Sequence, residues 1–249
     1  HMQTPAMIGA AMALRGVLES SDQPFEIHVI GTPSEESLDG GKNEMAAHGG
    51  FDHIDVAFMV HGSTLTQLET PSLALIEMDV EFHGKTAHAG IAPYAGRSAV
   101  DAVTMLQTGL GLMRNHLKDS SRVSNIVLAG GTAVNSVPDF AKVKVEIRHS
   151  SMAYLESVEQ WTREIAQAAA MATQTQVQIT PVAHIYNTTI NDAMGALLME
   201  CAEKFACDGI APPRKDCGST DFGAVTHRLP SCCLRVKTIE TDDPPHTDA

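Results

Sequence analysis

A chain of 249 residues, 43% apolar, 4% aromatic and carrying a formal net charge of −13, has the composition of a soluble α/β protein of one large or two smaller domains. The acidic balance argues against nucleic acid and anionic membrane surfaces as partners, because both demand clustered Lys and Arg. The five cysteines all lie beyond residue 200 and form no C-x-x-C pair, which indicates neither a disulfide framework nor a zinc finger and fits a reducing, cytoplasmic setting.

No stretch is long and apolar enough to span a bilayer, and the N-terminus lacks the basic region and cleavage site of a signal peptide. His1-Met2 reads as a cloning scar before a frame starting at Met2. Ala6 to Leu18, rich in Ala, Met and Leu, predicts a helix mostly buried against a sheet. Phe25-Glu-Ile-His-Val-Ile30 predicts a strand that ends in the acidic turn Gly31–Gly41, G-T-P-S-E-E-S-L-D-G-G. Lys42 to His48 predicts a helix stopped by Gly49-Gly50. Asp55–Val60 is a continuous apolar run, as in a parallel strand covered on both faces, and it ends in His61-Gly62. The pattern to this point is β-α-β.

From residue 73 the period changes. Ala74, Ile76, Met78, Val80 and Phe82 alternate with Leu75, Glu77, Asp79 and Glu81, which predicts a strand with one wet face. A helix over Arg97–Met113, strands at Ser124–Leu128 and Val143–Ile147, a helix through Leu155, Val158 and Ile165 and a strand around Val177–Ile179 complete β-α-β-β-α-β. That order is the ferredoxin-like arrangement, a four-stranded antiparallel sheet with two helices on one face. Helical character returns from Asp192 to about Phe205, followed by C-G-S-T-D-F-G at Cys217–Gly223 and P-P-H-T near the end. The fold class is therefore α/β, one α/β domain (1–72 and 187–249) interrupted by an inserted α+β domain (73–186).

Glu35 and Glu36 stand where a strand runs out, the position at which open α/β sheets bind ligands. With His61 and His246 they offer a carboxylate and two imidazoles to a divalent metal, Glu36, His61 and His246 as ligands and Glu35 as general base toward an activated water. A solvated acidic loop is the competing reading of Glu35-Glu36, and a lone strand-end histidine is more often structural than a ligand. His88, in H-G-K-T-A-H-A-G-I-A-P-Y-A-G-R, lies in a turn shaped by Gly, Ala and Pro. Asn135 precedes a strand in A-V-N-S-V-P-D, and Arg148 lies on the polar face of that strand, where a guanidinium fork can grip a carboxylate. Ser219 has no nucleophile elbow around it.

These motifs together resemble the M20 family of metallopeptidases and amidohydrolases, in its aminoacylase-like branch with aminobenzoyl-glutamate hydrolases and dipeptidase-like proteins. P-S-E-E, G-K-T-A-H-A-G-x-x-P-x-x-G-R-S-A, N-S-V-P-D followed by Arg148, G-S-T-D-F-G and P-P-H-T all match that family's pattern along the full chain. The resemblance implies two divalent ions, zinc or manganese, and hydrolysis of N-acyl amino acids, aminobenzoyl-glutamate-like compounds or small dipeptides. It implies Glu35 as base, Glu36, His61 and His246 as metal ligands, and Arg148 on the substrate carboxylate. It further implies a homodimer through the inserted domain, with His88 and Asn135 reaching a neighbouring subunit's site and His88 steadying the oxyanion. In that branch C-G-H-D/N comes immediately before the segment that begins here at Met2, and roughly a hundred preceding residues complete the catalytic sheet. The expectation is thus a piece of an M20 hydrolase, or alternatively a truncated, catalytically impaired binding or assembly module.

Overall fold

The computed structural model describes residues 3–36, 40–205, 207–214 and 218–238. They divide into two units, one of residues up to 35, 41–72 and from 188 onward, the other of 36–40 and 73–187.

In the second unit the alternating run forms β3 (Ala74–His83), the second of two long central strands being β5 (Phe140–His149). With β4 (Arg122–Ala129) and β6 (Gln176–Ile185) they make an antiparallel sheet of order β4-β5-β3-β6. Helices α3 (Ala99–Met113) and α4 (Met152–Thr173) cover one face, so the expected β-α-β-β-α-β arrangement forms. Ile76, Met78, Val80 and Phe82 from β3 and Val143, Val145 and Ile147 from β5 are buried against Leu106, Leu110, Met113 and Leu155. Burial of each such side chain contributes about 1.5–3 kcal/mol. Both helices start at serine caps: Ser98 Oγ accepts the Asp101 N–H at 3.2 Å and Ser151 Oγ that of Tyr154 at 3.4 Å.

The other face of this sheet is only partly wet. Leu75 is buried with Ala183 and Ile185 in a second apolar cluster, and Glu77 is buried too. Further along, Lys144 Nζ donates to Glu77 Oε1 at 2.9 Å, and Lys142 Nζ lies 2.7 Å from Asp79 and 3.0 Å from Glu81. The hydrogen bond to Asp79, then that to Glu81, holds Lys142 above the ordinary lysine pKa, as the one to Glu77 does Lys144. Cross-strand pairing of opposite charges is what permits carboxylates at these positions.

In the first unit α1 (Gln3–Leu18) forms, but none of its residues is buried, which corrects the expectation of a covered helix. Ile8, Met12, Leu14 and Val17 are 46–70% exposed. Local propensity suffices for the helix itself, whereas burial needs a partner surface that local pattern does not supply. Phe25–Ile30 is also corrected: it belongs to no strand, and Phe25 and Val29 are exposed. An apolar run becomes a strand only when a neighbour accepts its backbone hydrogen bonds. The parallel pair of this unit is instead β1 (Ala57–Ser63) with β7 (Ser231–Lys237), flanked by the short antiparallel β2 (Gln67–Leu68). S-C-C-L-R-V-K, which forms β7, lacks the alternation or β-branched density that marks a strand in sequence. Around the pair lie α2 (Gly41–Ala47), α5 (Asp192–Lys204), capped by Asn191, and the single turn α6 (Gly223–Thr226). Ala46, Phe51, Phe222, Val225, Leu229 and Cys233 form its core. Ser72 and Thr188 exchange buried hydrogen bonds of 2.7 and 2.9 Å through backbone N–H and side-chain hydroxyl, joining the two chain segments that flank the inserted domain. No described helix is long and apolar enough to cross a membrane.

Candidate active site

The acidic turn is conformationally unusual. Ser34, which precedes Glu35, has φ of 61°, in the left-handed region that a non-glycine residue adopts at a cost. Glu35 is half-buried and Glu36 exposed, and residues 37–39 lie outside the described set.

His61 lies within β1 and not beyond its end, because the strand continues to Ser63 alongside β7. Its Nδ1 is 2.6 Å from the Gly62 carbonyl oxygen. With the proton on Nδ1, toward that carbonyl, Nε2 would keep the lone pair, the form in which imidazole binds a metal. Arg235, paired with His61 across β1 and β7, places Nη1 3.3 Å from the same Nδ1. That guanidinium only donates and the carbonyl only accepts, so each tautomer of His61 satisfies one of the two contacts. Arg235 Nε donates to the Glu69 carboxylate, and Arg214 Nη1 lies 4.0 Å from the other oxygen of Glu69. Glu69, Arg214 and Arg235 were not legible as a group, because they converge from three separated segments. His246 lies outside the described residues. Among the described residues no group of three or more His, Cys, Asp or Glu side chains is arranged to hold a metal ion.

In the inserted domain the turn of His83–Arg97 is closed by reciprocal backbone hydrogen bonds of 2.8 Å between Lys85 and Arg97. Gly84 is required there, since a Cβ would overlap the Arg97 carbonyl. His88 bridges to Ser136, Ala89 N–H donates to the Asn135 carbonyl at 3.0 Å and Val137 N–H to that of Ala87 at 2.9 Å. The fold thus brings the His88 and Asn135 segments together, and both residues are exposed. His88 Nδ1 accepts the Gly90 N–H at 3.2 Å, so in the neutral ring Nε2 carries the proton and is a donor.

Arg148 lies on the polar face of β5, half-buried. Its Nε and Nη2 donate to the two carboxylate oxygens of Glu146, at 2.7 and 2.8 Å. The sequence suggested a guanidinium fork for a carboxylate, and the structure seats a carboxylate of the chain on it.

Residues 74–174 match the family described as the peptidase dimerisation domain, M20_dimer. The chain is 33% identical over 229 residues to the Xaa-Arg dipeptidase of Mus musculus, covering 90% of this chain and 53% of that protein. It is 32% identical over 195 residues to a p-aminobenzoyl-glutamate hydrolase of Escherichia coli K12, covering 76% of this chain and 40% of that polypeptide. Among solved structures it superimposes on the aminobenzoyl-glutamate utilization protein of Klebsiella pneumoniae with a TM-score of 0.69 and 25% identity, covering 81% of this chain and 55% of that one. The chain spans about half the length of the dipeptidases it matches.

Proposed function

This chain carries the peptidase dimerisation domain of the M20 family, and from that premise we propose that it belongs to a metal-dependent hydrolase of amide bonds in small acylated amino acids or dipeptides. The observation that carries this reading is the 33% identity to the Xaa-Arg dipeptidase over 90% of this chain. With its proton on Nδ1 His61 would offer Nε2 to a metal, and His88 offers a donor, as a partner for a developing oxyanion must. The relatives extend the reading to substrate class: Xaa-Arg dipeptides, p-aminobenzoyl-glutamate and related N-acyl amino acids.

In this reading Glu36 and His61, with His246, would hold the metal, and the family pattern calls for two ions, zinc or manganese. An imidazole nitrogen of His61 suits that role, and Glu36 adds a hard carboxylate oxygen of the kind both ions accept. A divalent cation supplies Lewis acidity and lowers the pKa of water near it. Glu35 takes the proton of the attacking water and returns it to the leaving nitrogen as the C–N bond breaks. His88 and Asn135 serve the site of a neighbouring subunit, His88 donating through Nε2, and Arg148 holds the substrate carboxylate.

The test is a hydrolysis screen of metal-stripped chain on Xaa-Arg dipeptides, p-aminobenzoyl-glutamate and N-acyl amino acids, read as amine released. Adding zinc or manganese is expected to raise the rate at least about tenfold over the chelated chain. Absence of hydrolysis with either ion would leave the binding or assembly module as the reading.

The dimer is assigned to the β4 edge. There Ile126, Val127 and Leu128 are 44–59% exposed, and on α3 Met105 and Leu112 are 44% and 66% exposed. Gln107 Nε2 donates to Asn125 Oδ1 at 2.9 Å and Arg114 Nη2 to the Val123 carbonyl at 2.8 Å, which ties α3 to the edge strand. An unprotected apolar edge strand is a template for pairing with a second copy. Ile126→Lys is expected to raise the dimer dissociation constant at least about a hundredfold in sedimentation experiments. A native monomer, or an unchanged dimer in the variant, would remove this assignment.

A further inference from the structure

Asp221, in the G-S-T-D-F-G segment, is 1% exposed and has no part in the chemistry above. Its Oδ2 accepts the backbone N–H of Lys42 at 3.0 Å, and its Oδ1 the Lys42 ammonium at 2.6 Å. The Lys42 side chain is only 12% exposed. A buried ion pair is weak evidence for stability, since desolvation offsets most of the attraction, so its use is better sought in what it holds in place.

What it holds is the start of α2. Lys42 is the second residue of that helix, and Gly41 the first. Gly41 is buried and so close to the acidic turn that a Cβ would overlap the Pro33 carbonyl oxygen. Pro33 leads directly into Ser34, with its left-handed φ of 61°, and then into Glu35. A strained conformation of this kind persists only where its surroundings over-determine it. A continuous series of contacts therefore runs from the Asp221 carboxylate through Lys42 and Gly41 to the Pro33 carbonyl and the backbone that aims Glu35.

The geometry points to Asp221 and Lys42 as positioning residues for Glu35, an inference that rests on the base role proposed above. Neither touches the reacting atoms. They fix the N-terminus of α2, and α2 fixes the turn.

A glutamate-specific endoprotease cuts after Glu35 and Glu36, and the products are resolved by mass. In the full chain Asp221→Asn is expected to speed these cuts about tenfold while cuts after Glu156 and Glu164 of α4 keep their native rate. Unchanged cutting at Glu35 and Glu36 would overturn the inference, and so would equal acceleration at every site, which reports general loosening. If Asp221→Asn does not fold, Lys42→Met carries the same comparison, since it leaves the carboxylate its bond to the backbone N–H. In steady-state kinetics the variant is expected to lose at least about tenfold in kcat with KM held within about twofold, and an unchanged kcat would also overturn the inference. Glu35→Gln is measured in parallel. Should Glu35→Gln keep native activity, the base role falls, while the cutting ratio still decides whether Asp221 and Lys42 hold the turn.

Discussion

Glu35→Gln is expected to lower kcat by about a thousandfold, within the range that loss of a positioned general base costs. The substitution keeps the shape of the side chain and removes its capacity to accept a proton. Glu35 is half-buried and the replacement is nearly isosteric, so the fold is expected to survive. KM should stay near its native value, because the base acts on the water and not on the bound substrate. Initial rates under saturating metal, with circular dichroism to verify folding, measure the effect. A variant with native kcat would mean that another group accepts the proton.

Arg148→Met is expected to act on the other kinetic parameter. Replacing the fork proposed to hold the substrate carboxylate by an apolar chain should lower kcat/KM about a hundredfold through KM, equivalent to about 2.7 kcal/mol. The loss in stability should be far smaller. The Arg148–Glu146 pair is 30% and 23% exposed, and partly exposed pairs contribute at most about 1 kcal/mol. A substrate whose carboxylate is amidated separates the two effects: it should react equally well with the native chain and the variant. Equal losses on both substrates would assign Arg148 a structural role, with Glu146 as its natural partner.

These two residues show how far the sequence could be followed. Glu35 was marked by its place in P-S-E-E after an apolar run, and Arg148 by its phase on an alternating strand. Both are local signals. The pairing of Arg148 with Glu146 was also within reach, since residues two apart on a strand share a face. His61 was marked as a ligand candidate by type, but the Gly62 carbonyl and the Arg235 guanidinium at its Nδ1 are contacts that no motif records. His88 gained its donor role in the same manner, from the Gly90 N–H.

The sequence by itself determined the element order of the inserted domain and the chemical types proposed for the candidate site. Period-two and helical periodicities are written into consecutive residues, and short motifs carry their own turns. Only the tertiary structure decided that Phe25–Ile30 has no ladder, that α1 has no buried residue and that S-C-C-L-R-V-K becomes the partner of β1. It alone joined Asp221 to Lys42 across 179 residues, and Arg235 and Glu69 beside His61. Burial and pairing belong to two surfaces at once, and a local pattern describes only one of them.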